Sequence, residues 1–260
     1  LNYLWLALGA VFGCFFISHM RKTAAGLEVT TEKICLPVSV KRKKILFISD
    51  LHRRRLDKSS IQPYAPFDYV IIGGDLAEKG TPLKTLHHNL SLLSSYGSVI
   101  FVWGNNDYEY GEQELKKLLI DYHVLILEND AVVIADGRIK WSIAGIEDFG
   151  TGRADVAKAI ANAEGPVLLI SHNPDVTDLI GEDRRIAAIL SGHTHGGQIR
   201  IGPLGIAEKG GWKNRNNINL FISNGFGTRK LPLRLGAKPQ IHLIAVGGRE
   251  KSVEHPPLYM

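Results

Sequence analysis

Five short polar segments carry the residue types that bind cations, and each follows directly on an apolar run. Asp50-Leu51-His52 follows Ile45-Ser49, Gly74-Asp75 follows Tyr69-Gly73, and Gly104-Asn105-Asn106-Asp107 follows Val99-Trp103. Ser171-His172 follows Val167-Ile170, and Ser191-Gly192-His193-Thr194-His195-Gly196-Gly197 follows Ala188-Leu190. Singly, each has an ordinary explanation as a turn, a strand-end hydrogen bond or a surface imidazole. Together, Asp50, Asp75, Asn105, His52, His172, His193 and His195 exceed what one structural zinc needs, and none offers sulfur. A mixed oxygen and nitrogen set of this kind suits two adjacent divalent ions such as Mn, Fe, Zn or Co.

Short β-rich runs must position these segments, because a chain leaving a sheet can aim side chains into a shared crevice. Besides the runs above, Val132-Ala135, Trp141-Gly145, Asn219-Ile222 and Ile241-Val246 read as strands. Several are apolar on both faces, as strands covered on both sides are. Thr81 is expected to cap, and Pro82 to open, a helix with Leu83, Leu86, Leu90 and Leu93 on one stripe. Leu115, Leu118 and Leu119 mark a second helix, and Ala154 to Ala163 and Asp175 to Ile180 mark shorter ones. With 260 residues, 45% of them hydrophobic, and no internal repeat or low-complexity linker, one α/β or α+β domain with helices covering stacked sheets is expected. Cys14 and Cys35 are the only cysteines, so neither a disulfide framework nor a thiolate metal cage is expected.

Residues 1–20 contain no charge and end at Arg21-Lys22. About 20 apolar residues at about 1.5 Å each span a bilayer core of about 30 Å. Tyr3 and Trp5 suit one interface and Arg21-Lys22 the other, whereas a cleaved signal would carry a positive n-region and a shorter apolar stretch. Residues 1–20 are therefore read as a single-pass anchor in the cell membrane, 21–44 as a basic juxtamembrane segment and strand approach, and 45–260 as the catalytic domain. Residues 21–58 hold eleven Lys/Arg against four Asp/Glu, and the rest of the chain 20 against 22, so the formal +5 is concentrated in one stretch. Lys33 and the run Lys41-Arg42-Lys43-Lys44 complete this expected collar, and the positive-inside rule then places the domain in the cytoplasm. The collar would attract anionic lipid, which makes nucleic acid an unlikely partner.

The ordered set D-x-H, G-D, G-N-x-D, H and G-H-T-H resembles the calcineurin-like metallophosphoesterase family from about Ile45 to Val246. The extension His193-Thr-His-Gly-Gly-Gln198, with Ser223-Asn-Gly-Phe-Gly227 and Leu231-Pro-Leu-Arg234, resembles its membrane-associated bacterial branch. The resemblance implies a four-layer αββα sandwich of two mixed sheets flanked by helices. It assigns one ion to Asp50, His52, Asp75 and His195, and the other to Asp75, Asn105, His172 and His193, with Asp75 bridging. It implies a metallophosphoesterase that hydrolyses a phosphodiester or diphosphate bond through a hydroxide shared by the two ions.

Where the family motif has a histidine, this chain has Asn106, whose amide donates hydrogen bonds but supplies no proton at neutral pH. Catalytic parts are thus expected of Asp75, Asn106 and His193, and substrate contacts of Arg53 and Asn106. Arg53-Arg54-Arg55 follow His52 directly, where a guanidinium can meet phosphate in two hydrogen bonds. His87 and His88 read as helix residues, and His123, His242 and His255 have no motif support. The substrate class is a phosphoester, with a lipid-linked molecule suggested by the anchor alone. The competing readings are a metal-binding scaffold or regulatory protein of the same fold with weak activity, prompted by Asn106 and opposed by the full set of expected ligands, and a nuclease, prompted by the positive charge.

Overall fold

The computed structural model describes residues 2–181 and 183–248; His255 and the end of the expected domain lie outside the described residues. The helices are α1 (Asn2–Ala25), α2 (Lys58–Ile61), α3 (Leu83–Ser94), α4 (Asn105–Asp121) and α5 (Val156–Ala161). The strands of the first sheet are β1 (Glu28–Leu36), β2 (Lys43–Ile48), β3 (Tyr69–Gly73), β4 (Ser98–Val102), β5 (Leu125–Ile126) and β14 (Gln240–Gly248). The second sheet holds β6 (Asp130–Asp136), β7 (Ile139–Gly145), β8 (Val167–Ile170), β9 (Ile186–Ser191), β12 (Gly211–Arg215) and β13 (Ile218–Ile222). β10 (Arg200–Ile201) and β11 (Leu204–Gly205) form a separate hairpin.

The strand orders are β1-β14-β2-β3-β4-β5 and β12-β13-β9-β8-β7-β6. Both sheets are mixed: β2 through β5 run parallel, as do β7, β8, β9 and β13, while β14 is antiparallel to β2 and β6 to β7. Alternation along β2 explains the layers. Leu46 and Ile48 pack outward with Leu86, Leu90, Leu115 and Leu119 of α3 and α4, and Ile45 and Phe47 pack inward with Trp141, Ile170 and Leu190 of the second sheet. On the far side Ala144, Leu169, Ile189 and Leu220 pack with Val156 and Ile160 beside α5. The result is the four-layer αββα sandwich, whose parallel strands deliver their carboxyl ends to one edge of both sheets.

Several local expectations need correction. Pro82, not Thr81, occupies the position before α3; the Thr81 hydroxyl accepts from the Glu78 N–H instead, which holds the loop after β3. Residues 174–179 form a 3-10 turn opened by Pro174 and capped by Asn173 rather than an α-helix. Helix α1 continues past Arg21 and Lys22 to Ala25, and β1, unforeseen because its polar edge-strand pattern hides the alternation, pairs in parallel with β14. This strand also moves the expected collar. Glu28 pairs with Gln240 and Lys43 with Val246, so the chain crosses the sheet before reaching the run 41–44, about 20 Å from the end of α1 at about 3.3 Å per residue. There Lys43 pairs with Asp68 at 3.2 Å and Lys44 lies over Phe67.

Three imidazoles outside the cation-binding segments, His87, His88 and His242, are structural. His87 Nδ1 meets the Tyr122 hydroxyl at 3.0 Å, and His88 Nε2 meets Leu56 O at 2.9 Å. His242 is buried against Phe47 and Phe221 and hydrogen-bonds Thr30 Oγ1 and Ser223 Oγ at 2.8 and 2.7 Å. Burial pushes its imidazole down to about 3. The unfolded chain binds that proton near pH 6.5, so the unfolded state holds more protons below that value, and stability falls as pH is lowered by up to about 1.4 kcal/mol per unit. His242→Gln is expected to remove one proton's worth of this slope in urea unfolding between about pH 7 and 5; an unchanged slope would refute it.

Candidate metal centre

The cluster is built from loops that leave β2, β3, β4, β8 and β9 at the shared edge of the two sheets. Asp50 and His52 follow β2, Asp75 follows β3, Asn105 opens α4 just beyond β4, His172 follows β8, and His193 and His195 follow β9. Asp50, His52, Asp75, His193 and His195 all have positive φ, between 49° and 69°. A non-glycine residue there costs of order 1–3 kcal/mol, and surrounding contacts must hold it. They do so closely: a Cβ on Gly192 would lie 2.6 Å from Asp50 Oδ2, and one on Gly74 2.6 Å from His172 Nδ1. Side-chain-free backbone is needed at both places.

Among the described residues, two groups bring ligand atoms within 4.8 Å of one another: Asp50, His52 and His195, and Asp50, Asp75 and His172. His52 Nε2 and His195 Nε2 are 3.1 Å apart, and His195 Nε2 is 3.2 Å from Asp50 Oδ1. Asp75 Oδ2 lies 3.2 Å from His172 Nε2 and 3.8 Å from His52 Nε2. His193 Nδ1 and Asn105 Oδ1 meet at 3.1 Å, and the His193 N–H donates to Asp50 Oδ1. All seven expected ligands therefore converge, although the two closest groups share Asp50, while Asp75 stands between His52 and His172.

The donor chemistry fits cations. His172 Nδ1 donates to Gly73 O at 2.9 Å, which turns Nε2 toward the cluster, where it has no hydrogen-bond partner among the described residues. His52 Nδ1 lies 3.4 Å from Glu78 Oε2 without a hydrogen bond among the described residues, close enough for Glu78 to accept its N–H after a small turn of the ring. Burial pushes His195 down to about 4 and lowers His193 as well, so both are neutral at pH 7 and available as ligands. Burial opposes charge on Asp50 and Asp75, but His195 and His172 beside them keep both carboxyls below their ordinary range. Burial also opposes charge on His172, yet Asp75 draws it up to about 10; a bound cation would displace that proton.

The remaining expected residues divide. Asn106 is 3% exposed; its backbone N–H donates to Asp75 Oδ1 at 2.8 Å and its amide Nδ2 to Asp75 Oδ2 at 2.6 Å. One amide N–H is left over. Arg53 is exposed and already engaged, with Nε 2.7 Å from Glu78 Oε1 and Nη2 donating to Lys79 O.

Four participants were missed. Asp107 accepts the N–H groups of Asp75, Ala77 and Gly104 and so fixes the Asp75 loop; its place in the G-N-x-D block was the available signal. Glu78 had none. Asp148, buried after β7 and influenced by His172 and His193, leaves Oδ1 without a partner among the described residues. Arg234, fully buried, reaches His195.

An αββα sandwich with this cluster at the carboxyl ends of its strands defines a metal-dependent hydrolase of phosphoesters. Residues 43–197 match the calcineurin-like phosphoesterase family, and the chain belongs to it. It is 39% identical over 243 residues to the uncharacterized protein YpbG of Bacillus subtilis (strain 168), covering 90% of this chain and 93% of that one. It is 26% identical over 221 residues to the phosphodiesterase YaeI of Escherichia coli (strain K12), covering 77% and 81%. Among solved structures, a 5'-nucleotidase precursor from Thermus thermophilus shares the fold with a TM-score of 0.53 at 11% identity, over 79% of this chain and 55% of that one.

Proposed function

We propose that the chain is a membrane-anchored phosphoesterase that hydrolyses a phosphodiester or diphosphate bond with two divalent cations. The observation that carries this reading is the convergence of Asp50, His52, Asp75, His172 and His195, with His193 and Asn105 beside them and His172 Nε2 facing the cluster without a hydrogen-bond partner among the described residues. Asp50, His52, Asp75 and His195 would hold one cation, and Asp75, Asn105, His172 and His193 the other. Two such cations activate water as a nucleophile and clamp the non-bridging phosphate oxygens as Lewis acids. The kinship to a phosphodiesterase supports the diester class.

The chain's own groups divide the rest of the work. Glu78 and Gly73 O orient His52 and His172, Asp107 holds the Asp75 loop, and the free N–H of the Asn106 amide is placed to donate to a phosphate oxygen. Helix α1 has one stretch, Tyr3–Ala25, long and apolar enough to cross a membrane, with a mean hydropathy of 1.6. With Arg21 and Lys22 at its end, the positive-inside rule puts the domain on the cytoplasmic side of the cell membrane.

The test is metal-dependent hydrolysis of bis-p-nitrophenyl phosphate by the full chain in detergent, with the bound cations counted by anomalous scattering. No turnover with any of Mn, Fe, Co or Zn would sink the enzymatic reading; a single bound cation in active protein would sink the paired one. Because Asn106 cannot supply a proton, alkyl leaving groups should suffer most. Asn106→His is expected to raise turnover of an alkyl phosphodiester relative to an aryl one by about 10²-fold, the lower end of general acid catalysis. An unchanged ratio would remove this role for Asn106.

A further inference from the structure

A groove of about 1060 Å³ runs from the last turns of α1 to Asn106, beside the candidate metal cluster. Its walls are Arg21, Ala24 and Ala25 of α1, the loops 53–54 and 78–80, and the loop 228–232; Asn106 connects it to Asp75. Arg21, Lys79, Arg229 and Lys230 are exposed along it, and none has a side-chain hydrogen bond or ion pair among the described residues. The acids facing them are Glu78, already paired with Arg53, and Glu109. Four uncommitted cations on a groove that ends at a phosphoester site describe a place for a second anionic group or an extended phosphate head.

The end of α1 is fastened to this groove. Arg54 donates from Nη2 to Ala25 O and Gly26 O at 2.8 and 2.9 Å, and the Arg234 N–H donates to Met20 O at 3.1 Å. Met20 and Ala24 are buried against the domain. Arg21 to Ala25 spans about 6 Å of helix, so a wall of the groove is the boundary of the apolar helix itself.

A second observation points the same way. The hairpin of β10 and β11 presents Ile201, Leu204 and Ile206 at 74%, 73% and 95% exposure, and Leu231 on the groove's own loop is 59% exposed. The hairpin is tied to that loop, since Gln198 Nε2 donates to Arg229 O and Leu231 O, and Arg200 N–H donates to Leu235 O, one residue from the contact with Met20. Apolar side chains this exposed, beside a helix that leaves the domain for the bilayer, have an apolar partner when seated in the lipid interface.

We propose that this groove binds the phosphate-bearing headgroup of a membrane lipid whose acyl chains remain in the bilayer beside α1 and the β10–β11 tip, so that the enzyme's substrates are phospholipid-like amphiphiles. The proposal rests on the phosphoesterase reading above. Hydrolysis of such a molecule adds one water across a P–O bond, the hydroxyl going to phosphorus and the proton to the departing oxygen. A soluble phosphoester offers the same head chemistry without the chains, and that difference separates the two sources.

The full chain is placed in nanodiscs of phosphatidylcholine with or without dioleoyl phosphatidic acid, and KM for bis-p-nitrophenyl phosphate is measured. Native mass spectrometry of the detergent-solubilised chain counts bound phosphatidic acid independently of turnover. Phosphatidic acid is expected to raise KM without lowering kcat, and Arg229→Glu with Lys230→Glu to weaken that effect and the bound lipid by roughly tenfold or more. Arg229→Lys with Lys230→Arg should retain both, and an unchanged thermal midpoint excludes misfolding of the charge-reversed pair.

Equal inhibition by oleate in the same discs would mean surface charge alone and overturn the proposal. Equal inhibition by glycerol 3-phosphate at the same concentration would overturn the membrane source, and stronger competition by a single-stranded oligonucleotide would favour nucleic acid instead. Turnover without lipid binding sinks the groove and leaves the phosphoesterase standing. Lipid binding that the charge-reversed pair loses, without turnover under any metal, sinks the phosphoesterase and leaves the groove.

Discussion

Asp75→Asn is expected to lower kcat/KM for bis-p-nitrophenyl phosphate by about 10³-fold or more. The estimate follows from the several kcal/mol that cation clamping contributes to the transition state and from about 1.4 kcal/mol per tenfold in rate. Asp75 is where the loss concentrates because its Oδ2 faces both His172 and His52, while Oδ1 accepts the Asn106 N–H. An amide keeps the shape but halves the buried negative charge that Asp50 and Asp75 present together. In either orientation it also sets an N–H2 group against an Asn106 donor, the amide Nδ2 at one oxygen's place or the backbone N–H at the other, and that contact turns repulsive.

The fold itself should tolerate the change, since the Asp75 and Ala77 N–H groups that hold this loop, and that of Gly104 after β4, donate to Asp107 rather than to the Asp75 carboxylate. The measurement is kcat/KM together with the number of bound cations and the thermal midpoint. Retention of activity within about tenfold at full cation occupancy would show that Asp75 is dispensable to transition-state stabilisation.

The parts of the molecule that could be read in advance are those where one local physical rule governs. Strands β2, β3, β4 and β8 are apolar on both faces because helices and the other sheet cover them, and their ends lie within two residues of expectation. That the candidate side chains gather at one edge was legible because they stand directly after such strands. What was hidden depends on distant segments. The left-handed backbone at Asp50, His52, Asp75, His193 and His195 leaves no mark in residue type, since none is glycine and the conformation is imposed by packing between loops.

The basic surface shows the same limit. Its linear signal, Lys41 to Lys44, lies at the far end of the first sheet, because β1 carries the chain across before the run begins. The cations that do border α1, Arg21, Lys79, Arg229 and Lys230, come from three separate parts of the sequence and form no run. Charge placement was misjudged for want of a strand whose polar edge residues gave it no apolar period.

Arg234→Ala is expected to destabilise the protein by about 3–5 kcal/mol, the cost of leaving a buried charged network broken. The guanidinium has no exposure and no carboxylate partner among the described residues; it is held by carbonyls, donating to Gly227 O from Nε and Nη2, to His195 O and Ala237 O from Nη1, and to Gly225 O from Nη2. Burial lowers it to about 10, still charged at neutral pH. Removing it strands four carbonyls from three loops, each worth about 1–3 kcal/mol when unsatisfied, although relaxation and entering water recover part of the sum.

Those loops enclose the position proposed for the first cation: the Gly227 N–H donates to Asp50 O, the Phe226 N–H to Ser49 O, and Arg234 Nη2 lies 3.3 Å from His195 Nδ1. The same substitution should therefore weaken cation binding by about 10- to 100-fold, as losses of orienting partners around metal ligands do. Arg234→Lys separates the two effects. An ammonium keeps the charge and satisfies at most three acceptors, so it should recover part of the stability but little of the orientation of His195. Thermal midpoints and metal titrations of both variants check this. At about 2–4 °C per kcal/mol the alanine variant should melt roughly 10 °C lower, and equal metal affinity in wild type and the lysine variant would show that the buried arginine supports the fold without setting the site.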